Sequence, residues 1–438
     1  NFGNLTNFSY LCKMIIVESQ KEIGDFLNQW ETQISLVIPI WADLECHPMN
    51  THLAFLYVRF SDGIYIIPFD HNDCENIQID LSKSSQPKWV WNKKGILQTP
   101  INLQNIYDIQ SESFFIHNKL IDLNTQIEPI TNFYTRLGLR DELGKSLPIM
   151  KWIEVLNGIT DEWSFLPLNE KSGKIKWIDD TMIPILSEIE KLGIHVDTEK
   201  FFDRWPHNSK HLHNTIIWSE YNPYTLTSRP SNRHGGINFG ALNKKDGSRE
   251  VFIPREGTIF LQFDYDAYHV RIIGKLIGYD LPTTSVHQWL ADQYGCPYDE
   301  SKGRTFRILY GGVSDEDKKI PFFKEVDDFI QRVYTESQQR GYILTPKGRK
   351  IPLHWIEGEN PQKVFNYLLQ ATETEFNMEV LKRLKEGNHP LPILYTYDSF
   401  LFEYGLSWDT EPAKEIKSVL QSFGFPIKAS WGTDYSKV

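Results

Sequence analysis

Two apolar stretches of this chain run into a carboxylate, and any fold must place those two ends. Thr258-Ile-Phe-Leu-Gln-Phe263 ends at Asp264, and an amphipathic segment starts within a few residues. Further along, Ile393-Leu-Tyr-Thr396 and Phe400-Leu-Phe402 flank Tyr397-Asp398-Ser399, which predicts a β-hairpin with an acidic turn. An Asp at a strand end beside a helix start also serves as an N-cap, so Asp264 alone decides little. If the hairpin lies beside the strand ending at Asp264, the carboxylates converge. Two carboxylates completed by waters and phosphate oxygens suit Mg²⁺, with Mn²⁺ as a substitute. Two such ions would clamp the attacking and leaving oxygens of a phosphoryl transfer.

The segment between the acidic ends carries a matching helix. Lys302, Phe306 and Tyr310 recur every four residues and drift slowly along one helix face. A cation followed by two aromatics suits a triphosphate, a base and a template neighbour. The net charge of −11 excludes a generally basic nucleic-acid coat, but leaves room for one basic cleft. At 438 residues the chain needs more than one core. Apolar residues at 40% and charged ones at 24% make it globular. Cys12, Cys46, Cys74 and Cys296 form no CxxC pair, which fits free thiols in a reducing compartment. The sequence has no apolar run long enough for a membrane span and no secretory leader pattern. No membrane partner is expected, and a cytoplasmic location is.

The order of these motifs resembles family A DNA polymerases of the DNA polymerase I type, in their phage-like branch. Asp264-Tyr265 resembles the opening of the first acidic motif. Lys302-xxx-Phe306-xxx-Tyr310-Gly311 matches the fingers helix, and Tyr397-Asp398-Ser399 stands where His-Asp-Glu is usual. Thr227-Ser228-Arg229-Pro230-Ser231 resembles T-G-R-x-S, Ser285-Val286-His287 a fingers segment, Gly348-Arg349 a template-side turn, and Asn366-xxx-Gln370 a palm helix. The resemblance implies two Mg²⁺ held by Asp264, Asp398 and the backbone carbonyl of Tyr265. It implies that Lys302 and His287 meet the triphosphate, Phe306 the sugar and base, and Tyr310 the templating position. Arg229, Asn366 and Gln370 would read the minor groove and Arg349 the template side. Primer–template DNA and dNTPs are the implied partners.

Three departures stand out. His269 occupies the position of a usual Glu that blocks the ribose 2′-OH. Tyr298 replaces a usual Arg, for which Arg304 or Arg307 would have to compensate. Only residues 198–226, 29 in all, separate Asp197 from Thr227, which leaves a reduced or absent thumb and the expectation of a processivity factor.

The N-terminal half resembles the 3′–5′ proofreading exonuclease of the same family. Asp43-Leu44-Glu45 follows an apolar strand, where alternate residues point the same way and would share a metal. His117-Asn118-Lys-Leu-Ile-Asp122 resembles the N-x-x-x-D motif. No Tyr-x-x-x-Asp third motif is visible; Glu154 and Asp161 are the stand-ins. The expected fold is α+β and multidomain. An RNase H-like exonuclease domain over 1–170 precedes a right-hand polymerase domain over 176–438, with fingers about 280–345 and a polar boundary at 171–175. The expected function is DNA-templated DNA synthesis with 3′–5′ proofreading. The alternatives are a ribonucleotide-tolerant or RNA polymerase relative, suggested by His269, and an inactive primer–template-binding protein.

Overall fold

The computed structural model describes residues 13–121, 127–128, 132–133, 136, 142–163, 173–406 and 410–438. The chain forms two compact units, residues 1–191 with 207–218, and residues 192–206 with 219–438. They are described separately.

The first unit is built on a six-stranded sheet of β1 (Lys13–Ile16), β2 (Ser35–Trp41), β3 (Leu53–Arg59), β4 (Gly63–Pro68), β5 (Lys88–Val90) and β6 (Ile106–Asp108), in the order β1-β4-β3-β2-β5-β6. β2, β3 and β4 form an antiparallel meander. β5 runs parallel to β2, β6 to β5 and β1 to β4. Residues 35–41 and 63–68 are buried throughout, which explains their near-continuous apolar runs. Helix α1 (Gln20–Thr32) starts at a capping box of Ser19 and Glu22 and buries Phe26 and Trp30. Helix α2 (Ile149–Glu162) lies where the sequence predicts a helix over 145–162, and its Trp152 packs edge-on against Phe55.

The predicted helix over 177–192 begins with a π-helical turn, Ile178–Met182, and continues as α3 (Ile183–Leu192). Gly193 follows at φ 61°, a left-handed conformation that glycine adopts without strain. The compact units part at 191/192, not at the polar stretch 171–175. The physical reason is a buried polar clasp. The Lys94 ammonium and the Gln98 amide both donate to Glu190, each at 2.5 Å, and the Ser187 hydroxyl donates to the Lys94 carbonyl at 3.1 Å. α3 is thereby bound to the first unit.

The second unit centres on a four-stranded antiparallel sheet of β7 (Thr258–Tyr265), β10 (Leu394–Thr396), β11 (Ser399–Gly405) and β12 (Ile427–Gly432), in the order β10-β11-β7-β12. Phe260, Phe263, Phe400 and Phe402 are all about fully buried here. Each such side chain contributes roughly 1.5–3 kcal/mol by leaving water. Helices α4 (Tyr268–Ile277), α5 (Val286–Tyr294), α6 (Tyr298–Gly311), α7 (Pro321–Arg340), α8 (Pro361–Glu386) and α9 (Glu411–Leu420) belong to the same unit, as do the short helix Thr198–Arg204 and a small sheet of Tyr221–Asn222, Ser231–His234 and Ile237–Asn238. β8 (Tyr342–Leu344) and β9 (Lys350–Pro352) form a hairpin after α7. α8 starts at the Asn360 cap with Pro361 in its first turn and runs 26 residues, packing on α4, α7 and α9. No described helix is long and apolar enough to cross a membrane.

Candidate active site

The predicted convergence of the acidic ends occurs. Asp264 pairs in register with Ser399 of β11, and the Tyr265 amide donates to the Asp398 carbonyl at 3.0 Å. The two carboxylates thus leave neighbouring strands at the same level. Burial pushes the Asp264 carboxyl up to about 6, and the Asp398 charge adds to that rise. Lys244, Lys428 and Lys302 pull it back down. Asp398 is raised too, by burial and then by the charge of Glu373. Buried carboxylates that repel one another form a site that gains from a cation.

The turn that presents Asp398 is strained. Tyr397 sits at φ 60°, which is rare for a bulky residue and typical of functional sites. Asn377 of α8 secures it. Its Nδ2 donates to the Tyr397 carbonyl at 2.6 Å and to the Tyr395 hydroxyl at 2.9 Å. Its Oδ1 accepts from the Tyr268 hydroxyl at 2.8 Å. The Tyr268 ring stacks on Tyr265 at 4.2 Å, so one amide ties α8 to both acidic strand ends. Tyr265, the expected carbonyl ligand, has its own hydroxyl anchored to the Leu420 carbonyl at 2.6 Å.

Helix α6 carries the predicted Lys302, Phe306 and Tyr310. Lys302 is exposed, yet its charge is felt at Asp264 and His287. The Phe306 and Tyr310 rings are parallel to within 8°, with centroids 6.1 Å apart. Phe306 is 43% exposed, so its ring is open to a ligand. His287, in the first turn of α5, lies 6.3 Å from Phe306 and 6.1 Å from Tyr298, ring to ring. Its Nδ1 is buried with no protein partner. The carbonyls at the end of α6, which its own helix leaves unpaired, are capped from α8: Gln362 donates to Leu309 and Asn366 donates to Tyr310 at 3.4 Å. Arg304, one expected substitute for the missing Arg, is held by Asp317 at 2.9 Å and by the Tyr294 ring. Arg307 is exposed.

Arg229 lies over the Tyr397 ring at 3.6 Å, and its Nε is 3.0 Å from a Glu373 carboxylate oxygen. The same oxygen is 2.8 Å from His269 Nε2, while His269 Nδ1 hydrogen-bonds the Tyr310 hydroxyl. Burial alone would push the Glu373 carboxyl up. His269 and Arg229 outweigh it and hold the carboxyl below its usual range. Burial pushes the Tyr310 phenol up to about 12. Arg349 is largely buried. It donates to the Thr227 carbonyl at 2.8 Å, to the Leu226 carbonyl and to the Ser228 hydroxyl. It therefore holds the loop that presents Arg229. Ser228, where the resemblance has Gly, sits at φ 55°, and its hydroxyl accepts from Arg349.

Asn366, Gln370, Glu373 and Asn377 share one face of α8. Reading the first two from the sequence and stopping there missed the other two, although the i+3 and i+4 spacing continues through them. Lys428, paired in register with Asp264, was missed as well; its ammonium is 2.5 Å from Asp266. Arg271 was also missed. It is buried, pairs with Asp266 at 3.2 Å, and donates to the Pro282 and Thr284 carbonyls at 3.1 and 2.9 Å.

The exonuclease expectation fares differently at residue level. β2 ends at Trp41, so Asp43 and Glu45 lie past it in a bend, and strand alternation does not align them. Asp43 accepts the amides of Glu45 and Cys46, at 2.8 and 3.2 Å, and Glu45 pairs with Lys210. Asp122 lies outside the described residues. Of the stand-ins, Asp161 pairs with Arg59 at 2.8 Å and Glu154 with Lys151 at 2.7 Å. Among the described residues, no group of three or more His, Cys, Asp or Glu side chains is arranged to hold a metal ion.

No family model matches the chain. It is 24% identical over 219 residues to the DNA polymerase of Mycobacterium phage L5, covering 43% of this chain and 36% of that protein. It is 24% identical over 214 residues to the DNA polymerase DpoZ of Vibrio phage phiVC8, covering 36% of this chain and 34% of that one. The matched part thus spans about a third of the length of these curated relatives. In three dimensions the chain matches the POL domain of Pol1 from M. smegmatis, solved in complex with DNA primer-template and dNTP. The TM-score is 0.66 at 13% identity, over 97% of this chain and 100% of that one. In sequence the chain is therefore similar to phage DNA polymerases, and its fold is that of a DNA polymerase domain.

Proposed function

We propose that this protein is a DNA-templated DNA polymerase that adds dNTPs to a primer 3′ end. The observation that carries the reading is the meeting of Asp264 and Asp398 at one level of a sheet, with Lys302 close enough to act on Asp264. The donor set fits Mg²⁺: two oxygen donors whose charges are poorly solvated leave most positions to water and phosphate. When bound there, a pair of divalent ions supplies charge neutralisation at the attacking and leaving oxygens. Asp264 and Asp398 are the residues that would hold it, with the Tyr265 carbonyl beside them.

The chain's own residues then have distinct tasks. Lys302 offsets charge that develops on the α- and β-phosphates as pyrophosphate leaves. His287, whose ring lies beside Phe306, is the residue this reading sets at the triphosphate. Phe306 packs beside the incoming sugar and base, and Tyr310 holds the templating position. Arg229, Asn366 and Gln370 face the minor groove, where every Watson–Crick pair presents an acceptor, so they test shape more than sequence. Arg349 acts through the Arg229 loop.

We read the first unit as an RNase H-like, exonuclease-type domain with weakened chemistry. The antiparallel meander β2-β3-β4, with β5 and β6 parallel to β2, supports the fold. The commitment of Asp43 to a turn and of Glu45 to Lys210 supports the weakening. Between Asp197 and Thr227 the only α-helix is Thr198–Arg204, which supports a reduced thumb and a need for a processivity partner.

The test is extension of a labelled primer on a template with Mg²⁺ or Mn²⁺, with and without dNTPs. Stepwise extension by the parent, lost in Asp264→Ala and Asp398→Ala, is the expected result. A folded parent that extends no primer with either metal would overturn the reading. Shortening of the primer without dNTPs at a proofreading rate would overturn the weakened-exonuclease part.

A further inference from the structure

Glu373 was not foreseen from the sequence, and its surroundings are unusual. Its side chain is 1% exposed, yet His269 and Arg229 hold its carboxyl below the usual range, which favours the ionised form. One oxygen serves two partners on opposite sides. His269 comes from the first turn of α4 and Arg229 from the loop before the short strand Ser231–His234. His269 in turn reaches Tyr310 at the end of α6, and Arg229 covers Tyr397 next to Asp398. The chain Tyr310–His269–Glu373–Arg229–Tyr397 therefore joins three helices and one loop around one acidic turn.

The hydrogen positions follow from chemistry. An ionised carboxylate only accepts hydrogen bonds, so His269 Nε2 must carry a hydrogen. In the neutral ring Nδ1 is then an acceptor, and the Tyr310 O–H is the donor that meets it. His269 thus offers Tyr310 an acceptor, backed by the Glu373 carboxylate on α8.

We propose that Glu373 is a positioning and specificity-determining residue: it fixes His269 in the Nε2–H tautomer, which aims the Tyr310 hydroxyl, and it holds Arg229 over Tyr397, so that one carboxylate sets both the floor beneath the incoming sugar and the grip on the primer end. This rests on the polymerase reading. It accounts for the presence of His269 at a position where the resemblance has Glu. A second carboxylate on α4 would face Glu373 across the span now filled by the imidazole, without a hydrogen-bond donor between them.

The test uses the full chain and the variants Glu373→Gln and H269E/E373Q. In ¹⁵N-histidine NMR, the His269 signal, identified by its loss in His269→Gln, should report the Nε2–H tautomer in the parent and shift toward a mixture in Glu373→Gln. In single-nucleotide insertion, Glu373→Gln should raise KM for dNTP about tenfold with a smaller change in kcat, and lower dNTP-over-rNTP discrimination about tenfold. The double variant returns the carboxylate to α4 and should recover most of that discrimination. Melting curves on the same samples separate a structural loss from a positional one. An unchanged His269 tautomer in Glu373→Gln overturns the proposal. So does a lowered melting temperature with KM and discrimination at parental values, or a double variant no better than the single one. A parent that extends no primer defeats the polymerase reading and the specificity claim with it, while the NMR arm still decides the clamp on its own.

Discussion

Replacing Asp264 with Asn should stabilise the metal-free protein while abolishing nucleotide addition, and the first effect can be sized from the site. Burial, helped by Asp398, lifts the Asp264 carboxyl from its ordinary 3.8 to about 6. Between those values the native state binds more protons than the unfolded chain. Stability therefore falls as pH rises through that window, and the full penalty applies above it. Two pH units correspond to about 3 kcal/mol. The carboxyl is partly open to water, which screens it, so about 2 kcal/mol is the working figure. The amide of the variant carries no charge and escapes this cost. For a unit of this size that means a rise of roughly 4–8 °C in melting temperature. The assay is calorimetry in EDTA at pH 4 and pH 7.5, repeated with Mg²⁺. The two proteins should melt together at pH 4 and apart at pH 7.5. Added Mg²⁺ should raise the parent and leave the variant nearly unmoved, and primer extension by the variant should be at background. Equal melting at pH 7.5 in EDTA would refute the electrostatic argument. An equal Mg²⁺ response in both would remove Asp264 from the metal site.

Other changes test other parts of the unit. Asn377→Ala leaves the Tyr268 and Tyr395 hydroxyls and the Tyr397 carbonyl without their partner; at about 1 kcal/mol or more each, calorimetry should show a loss near 3 kcal/mol. Ser228→Gly relieves a φ of 55° but loses the hydroxyl that accepts from Arg349. These offset to within about 1 kcal/mol, so melting and extension should be retained, whereas Ser228→Val should lose primer–template affinity by fluorescence anisotropy. Lys302→Ala should raise KM for dNTP much more than the Kd for primer–template, measured by single-nucleotide insertion and anisotropy. With few phosphate contacts available, log Kd should change shallowly with log salt, about 0.9 per phosphate neutralised, and extension against a DNA trap should give short products. Products hundreds of nucleotides long would contradict the reduced thumb.

What could be read from the sequence was whatever a local pattern encodes. Asp264 and Asp398 were legible because apolar runs mark where strands end, and the register that brings them together needs only antiparallel pairing of β7 with β11. Lys302, Phe306 and Tyr310 were legible because helical spacing is local. The failures share one cause. The DxE rule for Asp43 and Glu45 assumed that a strand continues past Trp41, and nothing local shows that the Asp43 side chain caps its own turn instead. The polar run at 171–175 looked like a boundary, but the unit's edge is set by Lys94, Gln98 and Ser187 with Glu190, residues distant in sequence.

His269 shows the same limit most clearly. Compared position by position, it is a departure that puts sugar selection in question. Compared atom by atom, one ring nitrogen meets the Tyr310 hydroxyl and the other a carboxylate, supplied by Glu373 from α8. Nothing near His269 in the sequence announces that partner, and nothing near Glu373 distinguishes it from the buried Glu375 two residues on. Glu375 turns instead to Thr345 at 2.5 Å and to the Lys347 amide at 3.1 Å, bracing the hairpin that carries Arg349. Two buried carboxylates on one helix thus brace the Arg229 loop by different routes, Glu373 at the guanidinium itself and Glu375 through the turn behind Arg349. If both routes matter to primer grip, Thr345→Val should weaken primer–template binding without altering dNTP-over-rNTP discrimination, whereas Glu373→Gln alters both. Equal loss of discrimination in the two variants would show that the sugar responds to the loop as a whole and not to His269.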